Sequence, residues 1–481
     1  MGDPTGTQAP ARSVAEHALS RAAGAPLVAG NALRLLSDGA ENYAAWRAAI
    51  RSAKRVIFFE NYIIRADAIG RAFRDELAER AATGVHVRLL LDWFGSFTTP
   101  RSFWEPLIRA GGCVRYHNPP QLGGEMNWLS RDHRKSLTVD GRIGFISGVC
   151  VSDVWLGDPG RGIEPYRDTG VELRGPAVAD IVRSFAQIWA QNGSPIPGEE
   201  ILGLPVSPHE GGVALRVIAT TPNASALYRL DLLIAALAER RLWITDAYFA
   251  GTPSYVHALR SAARDGVDVR LLVPGGSDLP WLRPLTTAGY RPLLDAGVRV
   301  FEWNGSMLHA KTSVADDRWA RVGSTNLNMA SWLTNFELDV AVEDEGFALG
   351  MAAMYEHDLE HATEIVLKKR RRVRIPPQGD DRGPSRPAQG SLVRATAGAL
   401  RFTRTVSAAV SGQRVLDRGD AVTLLVAAAA VLAFAAAAIF FPRVIAWAAG
   451  AVAGMAGVLL LFRALCSRGD RGRGGKAGRP A

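Results

Sequence analysis

Two short segments of the chain carry the same three chemically active side-chain types at the same spacing. Both follow the pattern H-x-K-x-x-x-x-D, and their members are His133, Lys135 and Asp140 in the first segment and His309, Lys311 and Asp316 in the second. Residues two apart on a β-strand face the same side, so each histidine projects together with its lysine. Lysines can neutralise phosphoryl oxygens, one histidine can attack phosphorus, and the other can move the proton of the leaving oxygen. The two copies therefore predict one phosphodiester site, built from two halves, with a covalent phosphohistidine intermediate.

Residues downstream of each motif are candidates for supporting roles. A carboxylate on the far nitrogen of a catalytic histidine fixes its tautomer, and Asp168 and Glu337 are the candidates for this task. The motif aspartates Asp140 and Asp316 complete the predicted catalytic set; they lie about one strand length beyond the lysines, so we expect a structural role for them, holding a turn or pairing with a backbone or basic group. Small or polar residues after each motif can let a phosphate approach the backbone or donate to it; these are Ser147, Gly148, Gly323, Ser324 and Asn326. The chemistry needs no metal ion and no other cofactor.

The motifs belong to a longer internal repeat. Each half runs from an apolar β-branched segment through a helical segment to the sequence G-V-x-V-R-L-L, then to a second strand and the motif. Alternating strands and helices predict βαβ units and a mostly parallel sheet covered on both faces. We therefore predict an α/β fold of two similar tandem domains, residues 26–205 and 206–366, related by a pseudo-twofold axis. Residues 1–25 are expected to be a disordered tail.

The C-terminal region has the composition of a membrane anchor. Residues 421–441 and 444–462 carry no charge, and each stretch is long enough to cross a hydrocarbon core of about 30 Å. The proline and arginine between them fit a tight turn, so residues 419–465 are predicted to form a transmembrane helical hairpin. The alternative is a pair of buried helices or one kinked helix in a soluble protein, which so long an apolar stretch disfavours.

Basic segments flank the predicted hairpin on both sides. Residues 367–418 form a basic flexible linker and residues 466–481 a basic tail, whereas the turn of the hairpin holds a single arginine. By the positive-inside rule both ends of the hairpin face the cytoplasm. The three cysteines match no zinc pattern and no disulfide framework, which agrees with a reducing compartment.

Composition and charge narrow the class of partner. Hydrophobic residues make up 48% of the chain and charged residues 21%, which is normal for a globular protein, and the net charge is +9. A basic chain favours anionic partners, either nucleic acid or acidic phospholipid headgroups. The neighbouring apolar segments favour the lipid, so nucleic acid is not the expected partner.

The paired motifs and their surroundings resemble the phospholipase D superfamily, whose members carry a duplicated HKD motif on twin α/β domains. The resemblance covers roughly residues 30–365. The segments most similar to bacterial cardiolipin synthases are HRKSLTVDGRIGFISG, YRDTGVELRGPAV and LHAKTSVADDRWARVGSTNLNMASWLTNFELDV. The resemblance implies that one phosphatidylglycerol gives its phosphatidyl group to a histidine, glycerol departs, and a second phosphatidylglycerol attacks to form cardiolipin. The resemblance is compatible with either motif's histidine as the nucleophile; we expect His133 in that role and His309 as the acid–base residue.

The leading hypothesis is thus a phosphatidyltransferase that acts on anionic phospholipids at the cytoplasmic face of the bacterial inner membrane. A phospholipase D hydrolase would use the same intermediate but resolve it with water, releasing phosphatidic acid. A nuclease of the same superfamily would suit the basic tail but has no need of the apolar segments. A membrane scaffold without turnover has no need of two intact motifs. The sequence leaves open whether the second lipid is phosphatidylglycerol or phosphatidylethanolamine.

Aromatic side chains crowd the stretch before the first motif. They are Trp93, Phe94, Phe97, Phe103, Trp104 and Trp128. Two interpretations stay open from the sequence: the rings line an entrance for acyl chains, or they pack in the core and its loops.

Overall fold

The computed structural model describes residues 8–119, 130–204, 207–276 and 283–366. The chain divides into two units, Met1–Arg370 and Arg371–Ala481. The predicted basic linker, transmembrane hairpin and basic tail (residues 367–418, 419–465 and 466–481) lie outside the described residues. Among the helices of the described ranges, none combines the length and the apolar character that crossing a membrane requires.

The described residues form one mixed sheet of fifteen strands. In chain order these are β1 (Val28–Ser37), β2 (Val56–Asn61), β3 (His86–Asp92), β4 (Cys113–His117), β5 (Lys135–Val139), β6 (Ile143–Ser147), β7 (Thr169–Arg174), β8 (Val213–Thr220), β9 (Arg241–Thr245), β10 (Asp268–Pro274), β11 (Arg299–Trp303), β12 (Thr312–Ala315), β13 (Trp319–Gly323), β14 (Glu337–Glu343) and β15 (Ala362–Ile365). The strands that follow the two motif lysines, β5 and β12, are buried at every position, as expected of strands covered on both faces.

Helices cover the sheet and have recognisable start signals. In chain order they are α1 (Gln8–Ala23), α2 (Asp38–Ser52), α3 (Ala68–Ala82), α4 (Glu105–Arg109), α5 (Val178–Gln191), α6 (Gly198–Leu202), α7 (Ala226–Leu237), α8 (Pro253–Arg264), α9 (Arg283–Leu294), α10 (Met329–Leu333) and α11 (Glu345–Glu360). The Asp67 side chain caps α3 by accepting from the N–H of Gly70, and Asp344 caps α11 by accepting from the N–H of Phe347. Such caps satisfy backbone donors that the first helical turn leaves without partners.

The sheet repeats one strand order in its two halves. The first half reads β4-β3-β2-β5-β6-β7-β1 from its edge inward, and the second reads β11-β10-β9-β12-β13-β14-β8. The halves join where β1 pairs with β8, and β15 extends the second half at its edge. The predicted boundary between the two domains falls between α6 and β8. The division into two domains stays a prediction, since one continuous sheet joins the halves.

The expectation of a mostly parallel sheet is wrong. Parallel pairing is confined to β2, β3 and β4 in the first half and to β9, β10 and β11 in the second. The strands that follow each motif pair antiparallel with their neighbours. A short connection explains the β5–β6 and β12–β13 pairs, because a tight turn joins antiparallel strands whereas a parallel pair needs a long crossover.

The structure of the N-terminal segment also differs from the prediction made from the sequence. Residues 1–25 are predicted from the sequence to be a disordered tail, but Gln8–Ala23 form α1. Leu19 and Ala23 pack into the apolar core of the second half. The sequence gives little sign of this helix because it lacks a strong apolar stripe, and its stability comes from tertiary packing.

A shared apolar core fixes the two halves to each other. This cluster lies under the central strands and combines residues of the first half, such as Ile146 and Leu173, with residues of the second, such as Val217, Trp243 and Leu338. Full burial of one such side chain contributes about 1.5–3 kcal/mol relative to exposure. The core therefore holds the ends of the central strands, where the candidate site lies, in a fixed arrangement.

Candidate active site

The first motif histidine is held by a carboxylate from the other half of the sheet. Nδ1 of His133, which lies just before β5, is 2.9 Å from Oε2 and 3.1 Å from Oε1 of Glu337, the first residue of β14. The Glu337 carboxylate is fully buried. It also accepts from Oγ of Ser324 at 2.6 Å and from Nδ2 of Asn335 at 3.3 Å. These bonds fix the carboxylate, which in turn fixes the imidazole ring.

The second motif histidine has the reciprocal arrangement. Nδ1 of His309 is 2.7 Å from Oδ2 of Asp168, which lies in the first half just before β7. The Asp168 carboxylate also accepts from the indole Nε1 of Trp155 and from the backbone N–H of Thr169, both at 2.9 Å. The two predicted orienting carboxylates thus each contact a histidine, but each serves the histidine of the opposite half.

Backbone hydrogen bonds also connect each histidine to the opposite half of the sheet. The N–H of His133 donates to the carbonyl of Phe336 at 2.9 Å, and the N–H of His309 donates to the carbonyl of Arg167 at 2.7 Å. Each acceptor directly precedes the carboxylate that holds the ring. Each histidine is therefore bound through main chain and side chain to the other half, so both halves are needed to complete either pair.

The motif lysines lie beside the histidines and are buried. Nζ of Lys135 donates to the carbonyl of His133, and Nζ of Lys311 donates to the carbonyl of His309. Burial and then the Lys135 charge lower the pKa of Lys311 to about 8, against the attraction of the Asp168 carboxylate. Because each histidine is held by a carboxylate of the opposite half, the two motifs meet where the halves join.

Burial also controls the charge of the histidines. It lowers the pKa of His133 to about 4, although the Glu337 carboxylate acts in the opposite direction. The pKa of His309 is lowered as well, first by burial and then by the Lys311 charge. Both imidazoles are therefore neutral at pH 7.

The two carboxylates are ionised under the same conditions. Burial raises the pKa of Asp168, but interaction with His309 outweighs it and brings the pKa to about 2. Burial likewise opposes ionisation of Glu337, yet its interactions with His133 bring the net pKa below the usual value. An ionised carboxylate can only accept hydrogen bonds, so Nδ1 of each histidine carries the proton and Nε2 keeps its lone pair.

The motif aspartates hold turns, as the sequence predicts. Asp140 and Asp316 both adopt positive φ, 53° and 51°, a conformation that aspartate tolerates better than most residues. Each carboxylate accepts three backbone hydrogen bonds of 2.7–3.0 Å at the start of a neighbouring strand. The donors are the N–H groups of Lys54, Arg55 and Val56 for Asp140, and of Glu239, Arg240 and Arg241 for Asp316.

The small residues after the motifs have different local tasks. A Cβ added to Gly148 would lie 2.2 Å from Oδ1 of Asp168, so this carboxylate can take its place only beside glycine. In the second half Ser324 donates to Glu337 instead. Oγ of Ser147 accepts from the N–H of Val149 at 3.1 Å. The predicted donor Asn326 is buried, and its Oδ1 finds no partner within the described ranges.

The prediction from the sequence did not include two residues that lie near the first motif. The ring of Tyr62 meets the His133 ring edge to face at 4.8 Å and lies 5.0 Å from Nζ of Lys135. Asn61 pairs in register with Lys135, and its Nδ2 is buried without a partner among the described residues. Tyr248 has the matching place in the second half, 6.0 Å from the His309 ring. The recurrence of tyrosine after β2 and after β9 was the available signal.

Other polar groups of the described chain lie outside the two pairs. His357, Glu360 and His361, all exposed at the end of α11, are the one group there whose ligand atoms are close enough to hold a metal ion. A cavity of about 710 Å³ is lined by these residues and by Arg167, whose guanidinium pairs with Asp358 at 2.7 Å. Arg167 therefore borders this cavity and also accepts, through its carbonyl, from the N–H of His309.

The predicted aromatic cluster divides into two groups. Phe103 and Trp104 are buried in the core of the first half. Phe94 and Phe97 are exposed, and Trp128 lies outside the described residues. Core packing is therefore the correct interpretation for the first group only.

The sheet order and the two crossed histidine–carboxylate pairs with buried lysines define a phospholipase D-like protein. The family profile described as "Cardiolipin synthase, PLD-like domain" matches residues 233–359. The chain is 37% identical over 364 residues to cardiolipin synthase A of Pseudomonas aeruginosa (strain LESB58), covering 74% of this chain and 73% of that protein. The chain is also 33% identical over 346 residues to the cardiolipin synthase of Alkalihalophilus pseudofirmus. This match covers 71% of this chain and 68% of that protein. The chain belongs to the cardiolipin synthase family of phospholipase D-like enzymes, which confirms the resemblance seen in the sequence.

A solved structure shares the fold at low identity. The crystal structure of phosphatidylserine synthase from Haemophilus influenzae Rd KW20 has a TM-score of 0.58 and 15% sequence identity to this chain. The match covers 73% of this chain and 92% of that one. At this identity the likeness shows the mixed α/β fold alone.

Proposed function

We propose that the chain is a phosphatidyltransferase of the cardiolipin synthase type, which moves a phosphatidyl group from phosphatidylglycerol to a hydroxyl of a second phospholipid. One observation carries the proposal: two histidines, each held by a carboxylate of the opposite half, lie beside two buried lysines. The relatives named cardiolipin synthase support phospholipids as the substrate class.

In the first step, Nε2 of His133 attacks the phosphorus of phosphatidylglycerol. The new N–P bond forms as the bond from phosphorus to the glycerol headgroup oxygen breaks. His309 gives that oxygen a proton, and glycerol departs. An anionic phosphodiester beside His309 favours the protonated imidazole, so the proton is taken up as substrate binds.

In the second step, His309 accepts the proton of a hydroxyl on the incoming phospholipid. The hydroxyl oxygen attacks phosphorus, the N–P bond breaks, and His133 returns to its neutral form. With a second phosphatidylglycerol as acceptor the product is cardiolipin. The ionised Glu337 stabilises the positive charge that His133 carries while phosphorus is attached, and Asp168 does the same for protonated His309.

The lysines stabilise the charge on phosphorus oxygens in both steps. Lys135 and Lys311 are fixed by the carbonyls of their own histidines, so their ammonium groups need little reorganisation as the transition state forms. Asn61 is a further candidate to contact the phosphoryl group, because its buried Nδ2 donor has no partner among the described residues.

The membrane part of the proposal is supported by the sequence. Residues 419–465 would anchor the enzyme in the inner membrane as a helical hairpin, with residues 26–366 on the cytoplasmic side. The basic linker, residues 367–418, would contact anionic headgroups. The enzyme would then meet its lipid substrates within the plane in which they are concentrated.

Product analysis tests this function. The purified full chain is incubated with phosphatidylglycerol vesicles, and cardiolipin, glycerol and phosphatidic acid are quantified, with His309→Ala as control. We expect cardiolipin and glycerol in equal amounts from the wild type and neither from the variant. Phosphatidic acid without cardiolipin would identify a hydrolase, and no lipid product, with phosphatidylethanolamine also supplied, would reject the proposal.

A further inference from the structure

Two phenylalanines of the first half are exposed as a pair. The side chains of Phe94 and Phe97 are 55% and 63% exposed, and their rings stack with centroids 6.0 Å apart. The other described phenylalanines are buried or half-buried. Leaving two aromatic rings in water forgoes a large apolar burial, so an exposed pair of this kind indicates a surface that meets an apolar partner.

The turn that carries the pair is held by hydrogen bonds and by a close backbone contact. This aromatic turn, residues 93–98, follows directly after β3. The N–H of Gly95 donates to Oδ1 of Asp92 at 2.9 Å, and Oγ of Ser96 donates to the carbonyl of Tyr62 at 3.1 Å. A Cβ on Gly95 would lie 2.2 Å from that same carbonyl, so the turn is pressed against Tyr62. The rings are thus presented outward on a fixed backbone.

Two contacts join the aromatic turn to the first catalytic histidine. Oδ2 of Asp92, the residue that anchors the turn, accepts from the N–H of Asp132 at 2.9 Å, next to His133. Tyr62, against which the turn packs, lies 4.8 Å from the His133 ring. The position of the exposed rings is therefore fixed relative to His133.

One cationic side chain lies against the exposed rings, and a second follows them in the chain. The Arg131 guanidinium lies 5.8 Å from the centre of the Phe94 ring and pairs with Asp92 at 3.5 Å. Arg101, which follows the turn in the chain, is exposed. Aromatic rings that accompany arginines are typical of protein segments at the boundary between headgroups and acyl chains of anionic membranes.

We propose that Phe94 and Phe97 insert into the acyl-chain region of the bilayer and place His133 at the depth of the phospholipid headgroup. This inference rests on the proposed function, since it takes the substrate to be a bilayer lipid. Arg131 and Arg101 would contact the phosphates of neighbouring lipids while the rings enter the apolar layer. The enzyme would then capture its substrate without extracting the acyl chains into water.

A cross-linking measurement tests the insertion without requiring turnover. The full chain carrying Phe97→p-benzoylphenylalanine is reconstituted in vesicles of phosphatidylglycerol and phosphatidylethanolamine and irradiated. Leu349→p-benzoylphenylalanine is the matched control, because Leu349 on α11 is 47% exposed. We expect at least fivefold more lipid adduct at position 97. Equal adducts at both positions, or cross-links from position 97 to a second copy of the chain, would overturn the proposal.

A kinetic measurement tests whether the two phenylalanines increase the rate on a bilayer substrate. The double variant Phe94→Ala/Phe97→Ala is compared with Leu349→Ala on bilayer phosphatidylglycerol and on a short-chain, monomeric phosphatidylglycerol. We expect the ratio of bilayer rate to monomer rate to fall about tenfold in the double variant and to stay at the wild-type value in the control. An unchanged ratio in the double variant would contradict the inference. Absence of any lipid product from the wild type would reject the proposed function, while the cross-linking result would still stand.

Discussion

Asp168 of the first half holds His309 of the second through a 2.7 Å contact with its Nδ1. Glu337 of the second half holds His133 of the first in the same way. The exchange makes the two halves interdependent, because each supplies one histidine and the carboxylate that orients the other. A change in either carboxylate should therefore act on the chemistry of the opposite motif.

Asp168→Asn should impair catalysis far more than folding. The asparagine amide can donate to Nδ1 of His309, which favours the wrong tautomer and removes the charge that stabilises the imidazolium. We expect kcat to fall by about 10²–10⁴-fold, by analogy with the aspartate of a serine protease triad. Steady-state rates on phosphatidylglycerol provide the measurement, and the matched control is Asp358→Asn, whose partner is Arg167. A loss below threefold would show that Asp168 has no role in orienting His309.

Gly148→Ala should distort the Asp168 carboxylate. The added Cβ would lie 2.2 Å from Oδ1 of Asp168, so the carboxylate or the backbone must move. Overpacking of this kind costs about 1–3 kcal/mol. We expect a lower Tm together with a loss of kcat.

Gly350→Ala is the control for the glycine experiment. Gly350 lies within α11, and a Cβ there would meet nothing within 4 Å. Alanine in a helix interior is more favourable than glycine by up to about 1 kcal/mol, so the Tm should stay the same or rise. Equal effects of the two substitutions on Tm and kcat would mean that the close contact at Gly148 is unimportant.

Anion binding should weaken as the pH rises through about 8. Lys311 has its pKa lowered to about 8, first by burial, so its positive charge is present below that pH and is lost above it. Inhibition by inorganic phosphate reports this charge, and its inhibition constant should increase between pH 7 and 9. In Lys311→Arg the increase should disappear, because arginine keeps its charge throughout this range. A pH-dependent increase of the same size in the variant would assign the titration to another group.

The motif aspartates should matter for stability more than for chemistry. Asp140→Ala leaves the N–H groups of Lys54, Arg55 and Val56 without their acceptor. Losing hydrogen bonds to a charged group costs about 1.5–3 kcal/mol, so the Tm should fall. The activity that remains at a temperature where the variant is folded should exceed that of Asp168→Asn by at least tenfold. The reverse order would place Asp140 in the chemistry.

Much of the site follows from the sequence because its chemistry is local. The H-x-K spacing is enough to predict that each histidine lies beside its lysine, although His133 and His309 lie just before β5 and β12 rather than on a strand as expected. Asp168 and Glu337 are recognisable as the orienting carboxylates from their equivalent places after each motif. The turn-holding role of the motif aspartates is predictable in the same way.

The exchange of carboxylates is not predictable from spacing. Asp168 follows His133 in the chain and Glu337 follows His309, so proximity in sequence favours pairing within each half. The crossing depends on two isolated backbone contacts, between Asp132 and Phe336 and between Arg167 and Leu308, which form only after the whole sheet is assembled. Helix α1 escapes prediction for a related reason, since its stability depends on packing against the second half.

The most direct test of the catalytic account is to trap the covalent intermediate. In the wild type the intermediate on His133 exists until an incoming hydroxyl resolves it, so a rapid quench should capture it. The wild-type enzyme is mixed briefly with phosphatidylglycerol that carries a labelled phosphatidyl group, quenched in base, and digested for mass spectrometry. We expect a phosphatidyl adduct on the peptide that contains His133, and none in His133→Ala. Label on His309 in the His133→Ala variant, with none on His133 in the first experiment, would contradict the assignment.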